Sequence, residues 1–152
     1  MNEIKVKRMF LAGLAMFFMW AVVEILVEHV LARYLLGQTS QNLWYQTIDL
    51  TGWTAKNHLV NNGIAILNCT ILIWLYASLR PMYGVGTKTA LIASAFGVTL
   101  LASLFVNFIN LGLFPARLGL TEAVFVVIEF PLAMLVGAAV YEGGEKALRE
   151  AT

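Results

Sequence analysis

The chain has 152 residues, of which 60% are hydrophobic and only 12% charged, with a formal net charge of +1. A soluble domain carries roughly a quarter charged residues, and one this small would have to bury four near-continuous apolar helices beneath a surface short of charge. The balance excludes a water-soluble domain, and with no basic cluster longer than Lys5, Lys7 and Arg8 it carries no footprint for nucleic acid.

A membrane-spanning helix needs about 20 mostly apolar residues to cross roughly 30 Å of hydrocarbon. The first such segment runs from Met9 to Leu31. Its basic start resembles a cleavable signal, but no small-residue cleavage site follows, and Glu24-Ile25-Leu26-Val27-Glu28-His29 continues it in helical spacing, so a retained span is predicted. From Ala32 to His58 the chain is long and polar and holds Trp44, Tyr45 and Trp53, residues that favour the headgroup level. Within that loop, Gln41 to Leu50 predicts a short amphipathic helix lying on the membrane.

The second span is Leu59 to Leu79. It ends in a tight turn, Arg80 to Lys88, marked by Pro81, Gly84 and Gly86. The third is Thr89 to Leu111, and a second turn, Gly112 to Arg117 with Pro115, leads into the fourth, Leu118 to Tyr141. After Gly143-Gly144, the tail from Glu142 to Thr152 predicts a short exposed helix. The fold expected is therefore all-α: a polytopic membrane four-helix bundle, one transmembrane domain over residues 1–152, with a long aromatic-containing loop between the first two helices. Four crossings put both termini on one side. That side carries Lys5, Lys7, Arg8, Arg80, Lys88, Lys146 and Arg149, against Arg33, Lys56 and Arg117 on the other, a bias that predicts both termini in the cytoplasm.

Small residues recur at four-residue spacing on the third span, Ala93 with Gly97 and Ala95 with Thr99 and Ser103. Such faces let helices approach closely, within this bundle or against another subunit.

Ionisable groups inside a span cost about 2.5–3.5 kcal/mol each at the centre on insertion scales, so each needs a reason. At 1.5 Å per residue, Glu24 lies about 22 Å from the boundary at Met9, and Glu129 about 18 Å from its own at Tyr141. Asn62 and Asn107 fall at about 25 and 27 Å by the same arithmetic. Glu28, His29, His58, Asn61, Asn110 and Glu122 lie at or just below the interface away from the termini, while Met9 to Val23 holds no charged residue. This asymmetry predicts a polar pocket opening away from the termini beneath the aromatic loop, with Glu24, Glu129, Asn62, Asn107, Glu28 and His29 as candidate ligand-binding residues. Against it stands ordinary packing: amides in spans serve as interhelical hydrogen-bond donors and acceptors. Pro131 frees the carbonyl near Val127 and can kink the helix at the same level.

Specific chemistries find little support. A di-iron carboxylate bundle repeats Glu-x-x-His on two helices, whereas Glu28 and His29 are adjacent and have no second copy. His29 and His58 are the only two histidines; they stand near one interface and would have to supply both axial ligands of a haem, or flank a quinone. The one cysteine, Cys69, allows no internal disulfide and no Cys-x-x-Cys centre, and the Asn68-Cys69-Thr70 sequon lies at membrane depth, out of reach of glycosylation. No Ser-His-Asp arrangement, phosphate loop or zinc spacing is visible, so no catalytic residue is assigned.

The acid in the first helix invites comparison with small multidrug transporters, but those chains are shorter and lack a long first loop. Phe10-Leu11-Ala12-Gly13-Leu14, followed by Trp20, Glu24 and His29, and a last span with Glu129 and Gly137, resembles a group of small bacterial four-span membrane proteins with no agreed activity. The resemblance implies the four-span layout and a bacterial cytoplasmic membrane, and no reaction. Two roles stay open: a non-catalytic accessory or stabilising subunit that packs against other membrane subunits or its own copies in the lipid bilayer, and a transporter or small membrane enzyme that uses the intramembrane acids.

Overall fold

The computed structural model describes residues 6–47 and 54–150. Lys5, Trp53 and the end of the expected loop helix at Leu50 lie outside the described residues, as do the side chains of Tyr45, Lys146 and Arg149. All regular structure among the described residues is helical: α1 (Val6–Val27), a π-helical turn (Glu28–Ala32), α2 (Arg33–Leu36), α3 (Ser40–Thr47), α4 (Ala55–Tyr83), α5 (Thr87–Asn110) and α6 (Ala116–Glu150). Helix is the conformation that satisfies every backbone polar group within its own segment, which hydrocarbon demands.

Four stretches are long and apolar enough to cross a bilayer: Val6–Leu36, Ala55–Tyr83, Thr87–Asn110 and Ala116–Gly143. Each overlaps an expected span, and most run further. The first helix continues past Leu31 because the π-helical turn carries it into α2, and it stops only at Gly37, whose φ of 74° ends the turn while its N–H bonds Arg33 O at 3.0 Å. α4 begins at Ala55, where Asn57 Oδ1 accepts from the Thr54 N–H and hydroxyl at 3.1 and 2.7 Å. It also absorbs Pro81, expected in the turn, into its last turn. Pro81 has no N–H to bond the carbonyl of Ala77, and the helix ends two residues later at Tyr83. α6 runs unbroken through Pro131 and Gly143-Gly144 to Glu150, so the expected tail helix is a continuation of the fourth span.

Contacts fix the two ends of the bundle. At one, the Tyr76 hydroxyl on α4 bonds the Glu142 carboxylate on α6, which also accepts the Gly86 N–H of the α4–α5 turn at 2.9 Å. Arg80 lies over the Tyr141 ring, 5.4 Å from its centroid. Near this end Gly137 of α6 meets α1 so closely that an added Cβ would lie 2.9 Å from Met16 Cβ and 3.2 Å from Ala12 O. The start of α1 and the end of α6 therefore share one end, the terminal end. The loop end gathers α2, α3 and the α5–α6 turn, where Phe114 packs edge-on to Trp44 and Phe108.

The four helices are not equally engaged. α6 is buried in a stripe along its length, from Leu118 through Thr121, Phe125, Glu129 and Ala133 to Tyr141. α4 buries only Cys69, Leu72, Ile73, Tyr76 and Ala77, and α5 only Thr89, Ala90, Ala93, Ser94 and Gly97. All of these belong to their terminal-end halves. Lipid is as apolar as a side chain, so helices join in a membrane by close packing and hydrogen bonds. The small residues at Ala93 and Gly97 permit that approach, whereas Ala95, Thr99 and Ser103 are exposed on the other side of α5.

Candidate functional site

The loop-end half of the α1–α6 seam carries the intramembrane acids. Trp20 and Glu24 on α1 and Glu28 at the start of the π-helical turn follow at four-residue intervals, so they stack on one face. On the antiparallel α6, Glu122 and Glu129 are seven residues apart and also share a face. Pairing the two faces makes a short ladder.

Its deeper rung is a bond: the Trp20 Nε1–H donates to Glu129 Oε2 at 2.9 Å. Glu129 is buried, at 4% exposure. The Trp20 ring is held against Phe130 with centroids 5.3 Å apart and planes at 61°, an edge-to-face arrangement that aromatic quadrupoles favour. Nearer the loop end a second indole repeats the pattern. Trp44 Nε1–H, from α3, donates to Glu122 Oε1 at 3.1 Å. Arg117 Nη2 donates to Leu35 O at 2.6 Å and ties the end of α2 to the start of α6. Glu24 lies within electrostatic range of Glu28, Glu122 and Glu129, so carboxyl groups gather along the seam. Glu24 itself is exposed and Glu28 half-buried.

The remaining candidates are placed elsewhere. Asn62 on α4 and Asn107 on α5 are both exposed, on the halves of those helices that hold no fully buried side chain. They share the depth of Glu24 and Glu129 without joining the ladder. His29 is exposed and its Nδ1 pairs with Ile25 O, one turn back, at 2.8 Å. His58 is exposed in the first turn of α4. Among the described residues no group of three or more His, Cys, Asp or Glu side chains is arranged to hold a metal ion. A groove at the loop end is lined by Lys56, Asn57, Val60, Asn61 and Ile64, all from α4, so it lies on the outer surface of one helix and not between four.

Sequence reasoning did not find the two indole donors. The sequence alone suggests the headgroup level for Trp44 and offers no partner for Trp20. The available signal was the spacing of Trp20, Glu24 and Glu28, which puts an indole donor on the same face as two acids.

The regular structure of the described residues is all helical, and four helices of this length and hydropathy support the chain as an integral membrane protein. No family model, curated protein or solved structure matches it.

Proposed function

We propose that this protein is a non-catalytic membrane subunit, working within a larger membrane assembly or with its own copies, in the bacterial cytoplasmic membrane with both termini inside. The observation that carries this reading is the use made of Glu129. The most deeply buried acid in the spans is taken up by an indole of the neighbouring helix, as a packing bond is, and Glu122 is taken up by a second indole. Lys7, Arg8, Arg80 and Lys88 at the terminal end support that end as the cytoplasmic one.

The test is the state of the protein after extraction in mild detergent at its natural expression level. A stable assembly larger than one chain is expected; recovery of the lone monomer contradicts the proposal.

A second reading is favoured by one specific feature, the gathering of Glu24, Glu28 and Glu122 near Glu129. Under it the acids bind a cation, a proton or a polar headgroup, as in a transporter or small membrane enzyme. Glu24→Gln and Glu129→Gln separate the two. The subunit reading expects both variants to insert and assemble normally with no transport or binding to lose, and the second expects loss of binding or flux with assembly intact. Haem at His29 and His58 is checked by the visible absorption spectrum of the purified protein, where a Soret band is the positive result.

A further inference from the structure

Resting on the subunit reading, we infer that the partner is a second copy of this chain, docked through α4 about a two-fold axis along the membrane normal, with Asn61 and Asn68 pairing to themselves across it.

Asn61, Ile64, Asn68 and Ile71 follow at intervals of three, four and three residues, the repeat of a left-handed helix–helix seam. All four are exposed, so this seam faces out of the bundle and not into it. Asn68 lies beside the midpoint of α4 (Ala55–Tyr83), the middle of the bilayer for a helix that spans it. Asn61 is about 10 Å further along the axis, still within the roughly 15 Å half-thickness of the hydrocarbon. Neither amide has a hydrogen-bond partner among the described residues. The bilayer core around Asn68 holds no water to supply one, and an unsatisfied amide in hydrocarbon is costly.

The occupant follows from the chemistry and the geometry together. A carboxamide carries both donors and an acceptor, so it is complementary to another carboxamide. Two copies inserted with the same orientation present α4 in parallel and at equal depth, which brings each amide level with its own counterpart. A two-fold interface is self-complementary by construction, and a polar residue at one position of a helical seam is a known means of fixing register. The groove at Asn57, Val60, Asn61 and Ile64 lies on the same side of α4 and offers a hole for a side chain of the facing helix.

The test uses the full chain in lipid bilayers. In a Cys69→Ala background, Ile64→Cys and Ile71→Cys are each oxidised under mild conditions, with Leu100→Cys on exposed α5 as the control. Disulfide-linked homodimer is expected for the two α4 variants and not for the control. Asn61→Leu and Asn68→Leu should each raise the dimer dissociation constant about 3- to 15-fold, the range that interhelical hydrogen bonds in a bilayer support, while Asn68→Gln keeps the dimer. Because these side chains are exposed, the helix content of every variant should equal that of the parent chain, as circular dichroism will show. Assembly with other proteins but without α4 cross-links overturns the α4 pairing and leaves the subunit reading standing. A monomer without cross-links overturns both.

Discussion

α6 and α4 are helices of similar apolar character put to different uses. α6 is buried from Leu118 to Tyr141 and carries its acids toward α1 and α3, where two indoles bond them. The loop-end third of α4, from Ala55 to Ile64, is exposed throughout, and its amides at Asn61 and Asn62 stay outside the bundle. A polar residue in a span is therefore explained by the face it occupies more than by its depth. On α6 polar groups close the fold; on α4 they remain available after the fold is closed.

That contrast should be most visible at glycine. An added Cβ at Gly137 would fall 2.6 Å from Ile73 Cδ1 and 2.9 Å from Met16 Cβ, whereas at Gly63 nothing lies within 4 Å. Gly137→Val should lower unfolding stability by about 3 kcal/mol through overpacking. Gly63→Ala should range from no change to a gain of about 1 kcal/mol from helix propensity. Denaturant titration of the reconstituted protein measures both, and equal effects at the two sites would abolish the distinction between the helices.

A smaller effect is expected at the deep rung. Trp20→Phe removes the donor and leaves the buried Glu129 carboxylate without its indole, a loss of about 1–3 kcal/mol. Smaller again is the rung at the loop end. Trp44→Phe releases α3 from Glu122, and the expected result is faster limited proteolysis near α3 with a stability loss of about 1 kcal/mol or less. The smallest effect belongs to the exposed amides: Asn62→Leu and Asn107→Leu should leave the unfolding free energy within about 0.5 kcal/mol of the parent chain. A large loss at either amide would place it in contacts that its exposed position does not provide.

The four spans were legible in the sequence because length and hydropathy alone decide whether a helix can cross a bilayer. The helix within the loop was legible too, as α3 at Ser40–Thr47 overlaps the segment predicted at Gln41 to Leu50. Axial arithmetic put Glu24 and Glu129 at one level, and the structure holds them within electrostatic range of one another. The same arithmetic added Asn62 and Asn107, which the structure leaves exposed on other helices. Rise per residue gives depth and carries no information about the direction a side chain takes around the helix axis. That direction depends on which helices touch and over what length: here α4 buries side chains only from Cys69 onward, whereas α5 meets α6 in both halves, at Gly97 beside Phe130 and at Ile109 beside Gly119. For the same reason Trp20 and Trp44, both visible in the sequence, could not be assigned to Glu129 and Glu122 before the seam was known.

The role claimed for the intramembrane acid Glu129 is to join α1 and α6 through its bond to Trp20. A double-mutant cycle on Trp20→Phe and Glu129→Leu, read by reversible unfolding in a bilayer-like environment, addresses it most directly. Each single change should destabilise the protein, and the double variant should recover about 1 kcal/mol of the summed loss, because removing both partners leaves no polar group unsatisfied. Strictly additive losses would show that the two side chains do not stabilise the fold through one another, and would contradict the claim.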